Sequence, residues 1–325
     1  MKVVYYLSPS SFCYGVKRSI DQLNDIVTTH KGENVFCIHS LVHNPKVTKD
    51  FENKWVRFIE NIDDVEDTHA VIVFSAHGTN RKTIDIAKKT YKKIYNLECP
   101  FVSKIYLEVD NFLKKWVNKF IYIGKEHHQE GKNVIEDIRN KWWKVCVCEK
   151  ENQIKDIPYH TNEEFWVLSQ TTLNFAYVQN ILNLIKSNFS ESHIPELSDV
   201  CKATYERQTV VLQNINKFET FIVIGGKESN NTKELYAIWR EHDKQSFYGE
   251  SLGDILKYPI EELFAHDAVA ITGGASTPRE DIQAVFDYYK KKWIRAKNIR
   301  ITKRIVRYNT WVFIKKKIAT WLLIR

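Results

Sequence analysis

Short apolar runs, each closing on a small or polar loop and then an amphipathic stretch, recur from one end of this chain to the other. Runs of four to six apolar residues are strands. When a helical pattern follows each one, consecutive strands must lie parallel, with helices crossing over between them. Candidate strands are 3–8, 34–38 and 70–75, then 93–97, 119–124, 143–148 and 165–169, and finally 219–224, 245–248 and 267–272. Candidate helices lie near 15–28, 80–90, 102–117, 173–187, 203–216, 230–241 and 278–290. The fold class is therefore α/β with mostly parallel sheets. The chain has 325 residues, enough for three compact units of roughly 100 residues each.

Three cysteines punctuate this pattern. Cys13, Cys99 and Cys201 each stand where an apolar run yields to a helical one, 86 and then 102 residues apart. A thiol at a helix start feels the positive end of the helix dipole, which favours thiolate. One thiolate from each of three similar units suggests a shared centre. The expected units are 1–98, carrying Cys13, 99–200, carrying Cys99, and 201–290, carrying Cys201, followed by a segment 291–325. The other cysteines, Cys37, Cys146 and Cys148, lie within apolar runs, where core packing is the expected role. The chain has no C-x-x-C pair to support a zinc ribbon or a thioredoxin-like motif.

Four junctions are built to receive an anion: 75–80 (Ser-Ala-His-Gly-Thr-Asn), 124–130 (Gly-Lys-Glu-His-His-Gln-Glu), 225–231 (Gly-Gly-Lys-Glu-Ser-Asn-Asn) and 273–278 (Gly-Gly-Ala-Ser-Thr-Pro). Ligands of parallel sheets sit beyond the carboxyl ends of the strands, where free backbone N–H groups and helix dipoles face them. His43, His77 and His128 fall at such polar junctions and can add donors to a phosphate or diphosphate. Glu130 lies beside them and can relay a proton if its pKa is raised.

The formal net charge of +8 is unevenly distributed, because thirteen Lys or Arg and no acid lie between Lys290 and Arg325. The remainder of the chain is mildly acidic. A basic segment of this kind either packs back on the body, with a strand-like stretch at 310–314, or meets an acidic surface. The first is expected here, and no nucleic-acid partner is. No apolar stretch approaches the roughly 20 residues of a membrane span, and the opening residues do not read as a signal peptide. The expected location is the cytoplasm.

Taken together, these motifs resemble the 4-hydroxy-3-methylbut-2-enyl diphosphate reductases over about residues 1–290. The resemblance is carried by Phe12-Cys13 with Gly15-Val16-Lys17-Arg18, Val42-His43-Asn44, Ser75-Ala76-His77-Gly78 and Cys99-Pro100 with Val102-Ser103-Lys104. It continues through Gln170-Thr171-Thr172-Leu173, Cys201-Lys202-Ala203-Thr204 with Arg207-Gln208, and Gly273-Gly274-Ala275-Ser276-Thr277-Pro278. It implies three α/β units in a pseudo-threefold arrangement around a central [4Fe–4S] cluster, held by Cys13, Cys99 and Cys201 with one iron left open. His43, His77, His128, Thr172, Ser229, Asn230 and Ser276 would bind the allylic diphosphate. Thr171, Glu130 and Asn231 would handle its hydroxyl, with Glu130 and Thr171 as the catalytic pair. A ferredoxin or flavodoxin would supply two electrons, and the products would be isopentenyl and dimethylallyl diphosphate.

This chain departs from the family pattern at Glu98 beside Cys99, at 127–131, where either His127 or His128 supplies the imidazole, and at Asn230, where serine is usual. The alternatives are a non-catalytic relative that keeps an iron–sulfur or diphosphate-binding function, or a phosphate-binding protein whose cysteines are unrelated.

Overall fold

The computed structural model describes residues 3–113, 118–161, 163–189, 192–194, 198–292 and 295–300. Among them every strand pairing is parallel, and the strands form three sheets. The chain opens with β1 (Val3–Ser8) and α1 (Tyr14–Thr29). Next come β2 (Val35–Ile38), α2 (Pro45–Glu52), β3 (Val56–Ile59), β4 (Val71–Phe74), α3 (Arg81–Thr90) and β5 (Lys93–Asn96), whose strands form a sheet in the order β3-β2-β4-β5. After α4 (Pro100–Leu113), the second sheet is built from β6 (Lys119–Ile123), β7 (Lys144–Cys148), β8 (Phe165–Ser169) and β9 (Ser192–His193), in the order β7-β6-β8-β9. Its helices are α5 (Gln129–Asn140) and α6 (Phe175–Asn188). The last segment contains α7 (Lys202–Leu212), β10 (Thr220–Ile224), α8 (Asn230–Glu241), β11 (Gln245–Gly249), α9 (Leu252–Ile255), α10 (Ile260–Leu263), β12 (Ala268–Gly273), α11 (Arg279–Lys292) and β13 (Arg295–Arg300).

The third sheet runs β11-β10-β12-β1-β13, so the first strand of the chain lies inside a sheet otherwise made of residues 220–300. β1 pairs with β12 from Val3 opposite Ala268, and with β13 as far as Ser8 opposite Arg300. Val4 and Leu7 are fully buried on opposite faces of β1, as an interior parallel strand requires. The stretch 93–97, inside the expected unit 1–98, forms β5 beside β4 in the first sheet. Part of the basic segment is β13. The strand-like stretch at 310–314 lies outside the described residues.

Each sheet is apolar on both faces. In the first, Cys37, Val71 and Val73 pack with Leu23 and Ile26 of α1. On the other face Phe36, Ile72 and Phe74 pack with Ile84 and Ala87 of α3. The α1 helix thus follows a strand of the third sheet but covers the first. Cys37 and Cys148 are buried in these cores, with Cys146 packed at the margin of the second, in line with their expected role. The sequence reading left out α5, because its buried face carries Glu130, Asn133 and Asp137 beside Val134, Ile135 and Ile138. Asn133 and Asp137 are bonded across to the first sheet's loops. Asn133 Nδ2 donates to Gly78 O at 2.7 Å, and Arg81 N donates to Asp137 Oδ1 at 3.0 Å. Among the described residues no helix is long and apolar enough to cross a membrane.

Two residues tie α1 to the loop that ends in Cys99. Ser19, fully buried, directs its hydroxyl at Leu97 O (2.8 Å) and Gly15 O (2.9 Å), and Arg18 donates to Glu98 O at 3.1 Å. Ser19→Ala leaves Leu97 O without that donor in a dry site. It is expected to lower stability by about 1–2 kcal/mol in chemical denaturation, although alanine is the better helix former.

Candidate active site

Three helix starts bring the cysteines together. Cys13 is the N-cap of α1, in extended backbone, and its Sγ accepts from Val16 N at 3.5 Å. Cys99 precedes Pro100, the first residue of α4, and the N–H groups of Phe101 and Val102 favour its thiolate. Cys201 is the N-cap of α7, with Thr204 Oγ1 at 3.3 Å from its Sγ. Gly15 occupies the space between the first two: a Cβ there would lie 2.5 Å from Cys99 Sγ and 4.0 Å from Cys13 Sγ. Arg207, 3 % exposed, donates to Ser11 O and Ala203 O, and its charge acts on Cys13 and Cys201.

The helix starts alone predict thiolates, but burial outweighs them. It pushes the Cys99 thiol up to about 12, against the Phe101 N–H and with added repulsion from Cys201 and Cys13. Cys201 is raised by the same cause, against its bond to Thr204. A buried cation reverses this balance, because a metal holds a thiol deprotonated. Among the described residues no three His, Cys, Asp or Glu are gathered around a single ion. Three soft donors arriving on three separate helices, each satisfied by local N–H groups, fit a polynuclear metal group in which each sulfur takes a different metal.

A cluster of imidazoles adjoins them. The His43 and His77 rings stack at 3.9 Å between centroids, and His128 meets His43 edge-on at 5.1 Å. The Nε2 atoms of all three are buried and have no hydrogen-bond partner. Burial holds the rings neutral. His43 falls to about 4, His128 to about 3, and His77 goes well below its ordinary value. Glu130 N donates to His128 Nδ1 at 3.2 Å, which leaves the proton of the neutral ring on the unpartnered Nε2. His128 caps α5 in this way, whereas His127 is exposed.

The third-sheet loops close around the rings. Ser276 Oγ donates to His43 O at 3.1 Å, and Gly226 lets its backbone approach the same carbonyl, where a Cβ would come within 2.4 Å. Ser229 caps α8. Asn230 Nδ2 donates to Thr172 O at 2.9 Å, and its Oδ1 accepts from Lys125 Nζ at 2.6 Å. Asn231 accepts from Ala275 N at 2.9 Å and donates to Thr204 Oγ1 at 3.0 Å, so it is one hydroxyl removed from Cys201.

Glu130 is 3 % exposed. Its carboxylate accepts from Thr171 N at 2.7 Å through one oxygen and from Thr171 Oγ1 at 2.8 Å through the other. Burial pushes it up to about 7, against both Thr171 bonds and with help from the nearby Asp199 charge. Thr171 O in turn accepts from Cys201 N at 2.9 Å, so Thr171 links the carboxyl to the third cysteine.

The residues singled out from sequence thus lie in three adjoining groups. Sequence reasoning assigned no role to Lys125 on Asn230, nor to Asp199, which is paired with Lys104 at 2.9 Å and bonded to Ser169 N. The signal for Asp199 was an acid two residues before Cys201; for Lys125 it was a cation inside a recognised loop. Glu98 is buried beside Cys99, bonded to the Ser103 hydroxyl through one oxygen with no partner for the other, and burial raises its pKa.

Residues 4–290 match the sequence profile of the family described as LytB protein. The chain belongs to the LytB family. LytB relatives named 4-hydroxy-3-methylbut-2-enyl diphosphate reductase include one from Buchnera aphidicola subsp. Schizaphis graminum, 32 % identical over 286 residues, 87 % of this chain and 88 % of that protein. Another, from Wolbachia pipientis wMel, is 28 % identical over 283 residues, covering 87 % and 89 %. The solved E-1-hydroxy-2-methyl-but-2-enyl-4-diphosphate reductase from Plasmodium falciparum shares the fold with a TM-score of 0.84 at 24 % identity, over 97 % of this chain and 99 % of that one.

Two outcomes follow from the site geometry. Gly15→Ala is expected to lower stability by about 1–3 kcal/mol through overpacking, and most of that loss should vanish when Cys99→Ala is added, a coupling measurable by a double-mutant cycle. Glu130, raised from 4.5 to about 7, keeps in the folded state a proton that the unfolded chain has already lost. Its contribution to stability is therefore full below about pH 4.5 and is lost as the pH rises through about 7. On going from pH 5 to 8 the Tm of the unsubstituted protein should fall relative to that of Glu130→Gln, whose amide stays neutral.

Proposed function

We propose that this chain is a 4-hydroxy-3-methylbut-2-enyl diphosphate reductase, removing the substrate hydroxyl by a two-electron reduction to give isopentenyl and dimethylallyl diphosphate. The observation that carries this reading is the trio of buried, unpartnered imidazole Nε2 atoms beside the Glu130–Thr171 pair. A neutral ring that carries its proton on Nε2, as His128 does, is an N–H donor awaiting an acceptor, and a diphosphate offers many oxygens. In this reading His43, His77 and His128 hold the diphosphate together with Ser229, Ser276 and the Thr172–Asn230 corner. Asn231 steadies the Thr204 side of the site through its bonds to Thr204 and Ala275.

Cys13, Cys99 and Cys201 would hold a [4Fe–4S] cluster, with one iron left without a protein ligand. When bound, such a cluster supplies electrons one at a time and an open Lewis-acidic metal. Overall, the carbon–oxygen bond of the allylic hydroxyl breaks and a carbon–hydrogen bond forms. Two electrons and two protons enter, and the oxygen leaves as water. Glu130 suits the first proton transfer. With its pKa pushed up to about 7 it is protonated in about half of the molecules at neutral pH, and Thr171 Oγ1, at 2.8 Å, sits where it can pass that proton on or hold the leaving oxygen in line. A ferredoxin- or flavodoxin-type protein is the electron donor that this chemistry calls for.

Anaerobic purification is expected to give a brown protein with about four irons per chain, lost in Cys99→Ser. Glu130→Gln should keep the iron and lose turnover of the diphosphate substrate by dithionite and a mediator, by about a hundredfold or more. A colourless, iron-free protein overturns the cluster assignment. An iron-loaded protein that turns nothing over is instead a non-catalytic relative.

A further inference from the structure

The rim of the imidazole cluster carries a cation that the roles above leave unused. Lys125 stands just past the end of β6, on the loop that leads to His128. Its Nζ donates to Asn230 Oδ1 at 2.6 Å and lies 3.5 Å from Glu234 Oε1, one turn further along α8. The opposite end of the Asn230 amide is committed to Thr172 O at 2.9 Å. Asn230 is 3 % exposed and links two loops, its amide oxygen engaged by Lys125 and its amide nitrogen by Thr172. The Lys125 side chain, by contrast, is 45 % exposed.

Charge balance gives this lysine a purpose. Burial keeps His43, His77 and His128 neutral, so the cluster offers N–H dipoles but no net charge to an incoming polyanion. Lys125 is close enough that its charge, with that of Lys233, further depresses His128 beyond the effect of burial. Lys233 is engaged by Glu228 at 3.5 Å. Lys125 is held mainly by a neutral amide oxygen, which a phosphate oxygen outcompetes, because hydrogen bonds between charged partners are the stronger ones. Its competing carboxylate, Glu234, is itself raised by burial.

We propose that Lys125 is a further substrate-binding residue, a cation that Asn230 holds at the rim of the imidazole cluster and that pairs with an oxygen of the diphosphate. This rests on the diphosphate reading of the site. Calorimetric titration of inorganic diphosphate into the whole, anaerobically purified chain tests it. Lys125→Gln is expected to weaken binding about tenfold, the size of one charge-assisted hydrogen bond, and to flatten its dependence on salt. Lys125→Arg, which keeps the charge, should stay within about threefold of the unsubstituted protein. Thermal denaturation of both variants should match that of the unsubstituted chain, since this half-exposed side chain packs in no core. Equal affinity in Lys125→Gln and the unsubstituted protein overturns this inference alone. No binding by the unsubstituted protein overturns the diphosphate reading, and this inference falls with it.

Discussion

The pairing of β1 between β12 and β13 is the constraint on which the rest of this molecule depends. It places the first strand in the last sheet while the helix that follows covers the first sheet, so the loop between them must cross the middle of the molecule. Cys13 sits in that crossing, and Cys13 N donates to Ala275 O of the β12 loop. The Ser19 and Arg18 bonds then bring the Cys99 loop alongside. Interior parallel strands must be apolar on both faces, and β1 meets that condition with Val4 and Leu7 fully buried.

Desolvation is the common cause of the electrostatics at this meeting point. The same loss of water raises Cys99, Cys201 and Glu130 and lowers His43, His77 and His128. Each shift favours the neutral form, so the dry centre gathers donors and acceptors but little charge. Such a site is poised for partners that bring charge with them: a metal group for the thiols and a polyanion for the rings. The cations that balance a polyanion stand at the edge, where water still screens them.

Much of the local structure was legible in the residues. Most strands and helices fell within a few positions of their expected bounds, because runs such as 71–74 and 220–224 are apolar throughout and are followed by helical stripes, Ile84 and Ala87 after the first and Leu235 and Ile238 after the second. The α5 helix escaped notice because Glu130, Asn133 and Asp137 occupy its buried face, where periodicity looks for apolar residues. The choice between His127 and His128 was also out of reach. Two adjacent histidines differ only in which one caps the helix, and the bond from Glu130 N to His128 Nδ1 decides that.

The sequence by itself determined the α/β class, the polar loops beyond the strand ends, and the cysteines at three helix starts, since each follows from local pattern and turn chemistry. Only the tertiary structure decided that β1 joins the third sheet, that the three rings stack with their Nε2 atoms unpartnered, and that Lys125 reaches Asn230. Strand pairing and side-chain convergence join residues as far apart as 34 positions for His43 and His77 and 292 for Val3 and Arg295. Their free energy comes from burying surfaces against each other, which no local window of sequence records.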